Sequence, residues 1–246
     1  MRQDLEGGTC LAEVEVRPLS ATTWTRSWKR SDWSPRLHQL RPAADEMSLL
    51  VVEARLGRNL PAELKRFYEA ADGAHLVDGN LDLVPVMGPG EMRLLDYSEW
   101  LRDADWPIPE EVLMFGGDGG DELFGLWYPA DASPTDPTPV VEIGEIFEPG
   151  CMAIVGTDLP VFLRGRIAYH LAYYFESDPS LGPALEAIGL PRELWEGAST
   201  PQSHPDSIAP YLEWADPTLP TKNPDSYEDR LDPDMVRTLL AGGNSS

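Results

Sequence analysis

Residues 43–73 constrain the fold most, because two segments of helical period follow one another there and each ends on a glycine. In 43–56, Met47, Leu50, Val51 and Ala54 fall at i, i+3, i+4 and i+7, which predicts a helix with one apolar stripe. Gly57 suits its C-terminal cap. In 61–72, Leu64, Phe67, Tyr68 and Ala71 repeat the stripe, with Glu63, Lys65, Arg66 and Glu69 expected to face water. Pro61 can open this helix, since the amide hydrogen it lacks would have no partner in a first turn. Asp72-Gly73 can close it, glycine tolerating the left-handed conformation that stops a helix.

Shorter elements follow. Residues 81–86, 112–115, 123–128 and 140–147 read as strands, the first kept short or at an edge by Pro85. Residues 91–103 read as a helix, and Asp158-Leu159-Pro160 starts another that runs to residue 175. Its apolar positions Leu159, Phe162, Leu163, Ile167, Leu171 and Tyr174 suit one face.

The ends of the chain have a different texture. Residues 1–42 are expected to form an extension packed on the core, with a short strand around Val14 and Val16. Trp24, Trp28 and Trp33 are interleaved there with Arg26, Lys29 and Arg30. That pattern fits either a stacking surface for nucleic-acid bases or tryptophans packed against the main domain. Beyond residue 177 a short helix is expected over 181–188. Prolines at 201, 205, 210, 217, 220, 224 and 233 then forbid long regular elements, although Tyr211, Trp214 and Tyr227 point to a loop strapped across the domain. Pro233 can open a last helix ending at Gly242. The organisation expected is therefore 1–42, a central domain over 43–177, and a helix with a Pro-rich extension over 178–246.

Charge decides which partners are open to the chain. The 246 residues hold 19 Lys and Arg against 42 Asp and Glu, a net −23. Residues 1–41 carry seven basic and five acidic side chains, so the remainder stands at −25. Such a chain is repelled by phosphate backbones and anionic lipid heads, which argues against nucleic acid and membrane surfaces and for a basic protein partner. Two cysteines, Cys10 and Cys151, make neither a disulfide framework nor a Cys-rich zinc site. The N-terminus has no apolar stretch of signal length, and the longest aliphatic run, residues 49–52, is far short of a membrane helix. A cytoplasmic protein is expected.

No G-x-S-x-G elbow, phosphate-binding G-x-x-x-x-G-K-[ST] or H-E-x-x-H occurs. The glycine-rich stretch 116–120 lacks nucleotide-loop spacing, and its own aspartates would repel a phosphate. Asp118, Asp121 and Glu122 form the densest carboxylate group on a loop. They could draw a divalent cation, act as an acid/base pair, face a basic partner, or stay solvated on a turn between core strands. His38, His75, His170 and His204 are scattered without ligand spacing, and nothing near Cys151 marks it as a nucleophile. Trp100 and Trp106, flanked by Glu99, Asp103 and Asp105, combine an aromatic anchor with carboxylates, which suits a basic partner; core packing is the other reading.

The order of these pieces resembles the SUKH superfamily, which includes fungal cell-wall-assembly regulators and many bacterial immunity proteins. The resemblance rests on the Leu60-Pro61 helix with Phe67 and Tyr68 that ends in Asp72-Gly73, then Leu83-Val84-Pro85-Val86. Phe115 with the glycine loop and Asp121, and a helix from Asp158 carrying Phe162-Leu163, complete it over residues 43–175. It implies an α+β single domain, a mostly antiparallel sheet with helices packed on it, here with N-terminal and Pro-rich C-terminal extensions. It also implies no catalysis, no cofactor and no metal. Leu60, Pro61, Phe67, Tyr68, Asp72 and Gly73 would hold the fold. Many bacterial members neutralise a cognate toxin, often a nuclease, by binding it. An acidic inhibitor gains association rate against a basic toxin domain. On that reading Trp100, Asp103, Asp105, Asp118, Asp121 and Glu122 face the toxin. The alternative is a regulatory interaction scaffold with no toxin partner.

Overall fold

The strand-like runs of this chain are too short to bury themselves alone, and they line up side by side in one sheet. The computed structural model describes residues 38–87, 93–103, 108–120, 122–144, 151–175, 177–196, 208–220 and 230–242. Strands β1 (His38–Leu40), β2 (Ala74–Leu76), β3 (Leu81–Leu83), β4 (Val112–Gly117), β5 (Glu122–Trp127), β6 (Val140–Gly144) and β7 (Ala153–Gly156) stand in chain order. Every neighbouring pair is antiparallel. Helices α1 (Glu46–Leu56) and α2 (Ala62–Ala70) intervene between β1 and β2, and α3 (Leu94–Asp103) between β3 and β4. After β7 come α4 (Leu159–Phe175), α5 (Gly182–Ala187), α6 (Ala209–Ala215) and α7 (Pro233–Gly242). This is the expected α+β domain with an antiparallel sheet. Among the described residues no helix is long and apolar enough to cross a membrane.

Helix α1 begins where Asp45 caps it, its carboxylate accepting the Ser48 amide hydrogen at 2.8 Å, and Gly57 closes it at φ 72°. The buried face is not the one the sequence suggests. Leu49 and Val52 are buried, while Met47, Leu50 and Val51 are 67%, 48% and 39% exposed. Two apolar stripes overlap on this helix, and periodicity alone does not choose between them. A charged residue marks the inward side: the buried Glu53 carboxylate accepts the Leu60 amide hydrogen at 3.0 Å and pairs with Lys65 at 3.0 Å.

The second helix matches its sequence closely, from Pro61 at its N-cap to the stop before Gly73. Leu60, Pro61, Leu64 and Tyr68 are buried, Phe67 is half-buried, and the Tyr68 hydroxyl donates to the Val84 carbonyl at 2.9 Å. Asp72 accepts the Val86 amide hydrogen at 2.6 Å, so the helix end is stitched to the chain that follows β3. Gly73 sits at φ 85°, and a Cβ there would lie 2.7 Å from the Leu83 carbonyl oxygen. Glu63 does not face water as expected. It packs against the start of α4, accepts the Leu159 amide hydrogen, and is pushed up to about 7 by burial and then by Asp158.

Three strands escape the sequence reading, β1, β2 and β7, because three or four residues carry no periodicity to detect. The Pro-rich stretch also contains α6, with Pro210 in its first turn, where proline is tolerated. Helix α4 is buried on two sides rather than one. Phe162 meets Phe115 and Phe124 at ring distances of 5.9 and 4.9 Å. On its other side Gly165 lets α6 approach, where a Cβ would lie 2.9 Å from Leu212. His170 is buried on this helix, and desolvation with the Arg166 charge holds it down at about 3.

Candidate partner-binding face

Helix α3 owes its orientation to a gap in the sheet. Strand β3 pairs with β4 only at Gly116 and Gly117. Beyond that point α3 takes over the open edge: Ser98 Oγ accepts the Met114 amide hydrogen at 3.1 Å, and Arg102 donates to the Val112 carbonyl at 3.0 Å. Leu94, Leu95, Ser98 and Leu101 are thereby turned inward and buried. Asp96, Glu99, Trp100 and Asp103, at i, i+3, i+4 and i+7, are left on the outer side. Trp100 is 51% exposed and lies almost parallel to the Tyr97 ring, 6.4 Å away. Burial, then the Asp118 and Asp82 charges, push the Tyr97 hydroxyl up to about 12.

Arg55, in the last turn of α1, joins that stripe to the exposed side of α1. Its guanidinium meets Asp96 at 2.9 Å and Glu99 at 3.3 Å. Met47 and Val51 precede Arg55 by two turns and one turn of the same helix, so they lie toward its side of α1. Met47, Leu50, Val51 and Trp100 are four of the six large hydrophobic side chains exposed among the described residues; Met235 and Leu239 on α7 are the others. Scattered exposed leucines need no explanation, but three exposed apolar side chains within two turns of α1, and an exposed tryptophan beside carboxylates on α3, are features of surfaces that proteins bind.

The acidic turn between β4 and β5 is occupied with its own structure. Asp118 Oδ1 accepts amide hydrogens from Gly120 at 2.8 Å and from Glu122 at 3.1 Å. Glu122 pairs with the buried Arg166 of α4. Asp105, Trp106 and Asp121 lie outside the described residues, as do Trp24, Trp28, Trp33, Cys10 and His204. Of the six residues expected to face a partner, Trp100 and Asp103 therefore lie exposed on one helix, while Asp118 and Glu122 have their carboxylates engaged within the chain. Among the described residues no group of three or more His, Cys, Asp or Glu side chains could hold a metal ion.

Two features were missed by reading the sequence. Glu142, in the middle of β6, is 1% exposed and held between Arg166 and Arg230, the latter at 3.1 Å. Burial works against the Arg166 charge, but the Glu142 and Glu122 carboxylates outweigh it and hold that charge firmly in place. A lone carboxylate among Val140, Val141 and Ile143 was the available signal. The second is an open groove of about 690 Å³ beside α7, walled by Glu110, Glu111, Asp232 and Asp234. Arg237 is drawn into it by Glu111 at 2.9 Å.

Comparison with known families gives a match. The SMI1 / KNR4 family (SUKH-1) model matches residues 43–165, half of the chain. The matched span runs from just before α1 into α4 and so includes α1, α3 and the acidic turn. No curated protein matches the chain.

Proposed function

Because the chain belongs to the SMI1/KNR4 (SUKH-1) family, which includes toxin-immunity proteins, we propose that it is a non-catalytic, cytoplasmic protein-binding domain that neutralises a cognate toxin by direct contact. The observation that carries this reading is the outer stripe of α3, where Trp100 stands exposed among Asp96, Glu99 and Asp103. A large aromatic anchor inside a carboxylate rim favours a basic partner, the aromatic supplying buried area and the rim suppressing acidic competitors. The net charge of −23 works at longer range, steering a basic toxin domain toward the chain at low salt. Asp118 and Glu122 then contribute field and turn geometry more than direct contact.

Rescue is the experiment. The product of the adjacent gene is expressed in a heterologous host with and without this chain, and the two are tested for copurification. Suppressed toxicity with a salt-sensitive complex is the expected result. Trp100→Ala should then weaken the complex by about tenfold or more, as truncation of a central aromatic anchor does. Asp103→Lys should slow association and flatten its salt dependence. A harmless neighbour that does not copurify overturns the toxin reading and leaves the regulatory scaffold. A complex indifferent to both substitutions moves the partner elsewhere on the molecule.

A further inference from the structure

The side chains on the outer side of α3 are not equally free to meet a partner. Asp96 and Glu99 are spent within the chain, lying 2.9 and 3.3 Å from the Arg55 guanidinium. Asp103, the last residue of the helix, is exposed and has no ion-pair or hydrogen-bond partner among the described residues. Its neighbour Arg102 is turned to the Val112 and Pro109 carbonyls, at 3.0 and 3.3 Å. Trp100 precedes Asp103 by three residues, so indole and carboxylate are neighbours on the helix surface, with Cβ atoms about 5–6 Å apart. The Tyr97 ring lies nearly parallel to the indole, and half of Trp100 is left in solvent.

An open indole beside an unclaimed carboxylate is a combination that suits a guanidinium. The planar cation stacks on the ring while its N–H fork reaches the carboxylate oxygens. The protein uses the stacking half of this arrangement elsewhere. Arg164 lies over Trp214 at 4.0 Å and Arg58 over Tyr128 at 3.9 Å, whereas among the described residues Trp100 carries no such cation. Asp103 also closes α3, where the helix dipole is negative and adds to the pull on a cation. We infer that Trp100 and Asp103 form a receptor for one arginine side chain of the binding partner, the guanidinium lying on the indole and donating its N–H groups to the Asp103 carboxylate. The inference rests on the reading of α3 as the partner-facing surface and narrows it: Asp96 and Glu99, held by Arg55, contribute field without touching that arginine. A lysine fits less well, because a compact ammonium has no plane to stack and no fork to match the two oxygens.

The test needs no toxin. The full chain, labelled with nitrogen-15, is titrated with blocked tripeptides that differ only at the central residue: arginine, lysine, or citrulline, the uncharged counterpart of arginine. The indole N–H signal of Trp100 is identified by its absence from Trp100→Phe. That signal should move saturably with the arginine peptide, and the lysine peptide should bind about two- to fivefold more weakly, the size of an exposed cation–π contact. The citrulline peptide should leave it in place. Asp103→Asn should weaken the arginine peptide by about two- to fivefold. Glu69→Gln, which removes the same charge from the exposed side of α2, should not, and Glu99→Gln should cost less than Asp103→Asn. A Trp100 signal that never moves, equal affinity for the lysine and arginine peptides, or equal losses from Asp103→Asn and either glutamine variant would each overturn the inference. Such a result beside a successful rescue would leave the toxin reading standing. A positive titration beside a failed rescue would keep the arginine receptor and remove the toxin.

Discussion

Glu63 shows how one side chain is changed by its neighbours. On an isolated helix it would be a solvated acid, but here it packs against the start of α4 near Asp158, and its value rises from 4.5 to about 7. A raised acid is one whose protonated form the fold prefers. Its stabilising contribution is complete below pH 4.5 and is lost as pH rises through about 7. Glu63→Gln, which imitates the protonated form, should leave the melting temperature nearly unchanged at pH 5 and raise it at pH 8. Equal effects at the two pH values would mean that Glu63 ionises freely in the folded protein.

At the scale of the element, α1 is the informative case. Leu49 and Leu50 are adjacent and chemically identical, and only the direction each points decides its worth. Leu49→Ala removes a side chain 3% exposed and should cost about 2–5 kcal/mol in urea denaturation. Leu50→Ala should change stability by no more than about 0.5 kcal/mol. Comparable losses would reverse the rotation of the helix given above. By contrast the bounds and buried face of α2 were legible, though not the burial of Glu63, since Pro61, the Leu64 and Tyr68 spacing and Asp72-Gly73 all act within a few residues of one another. Helix α3 was legible as a helix, but its outer stripe follows from Ser98 and Arg102 completing the edge of β4.

Over the whole molecule the buried ions matter most. Glu142 on β6, Arg166 on α4 and Arg230 near the end of the Pro-rich stretch come from distant parts of the chain and meet out of water. The following residue, Leu231, exchanges backbone hydrogen bonds with Met152 at 2.9 and 2.8 Å, so residues 230–231 are fastened beside the start of β7. Arg230→Met should cost about 3–5 kcal/mol, because breaking a buried pair leaves charge without full compensation. The chain after residue 196 should also become easier to cleave under limited proteolysis. A loss below about 1 kcal/mol would show that Arg166 alone satisfies Glu142.

What the sequence determined by itself was everything that acts over a few residues. It placed the helices opened by Pro61, Asp158 and Pro233 and the stops at Gly57 and Gly73, because caps and steric rules operate within a turn. It also set the sign of the charge and, through an ordered set of motifs, the family. Only the tertiary structure chose which stripe of α1 is buried. It also brought Glu142 to Arg230 and turned Asp118 and Glu122 back upon the chain. A three-residue strand such as β1 exists only because β2 supplies its hydrogen bonds, and no local pattern records a partner that lies a helix pair away.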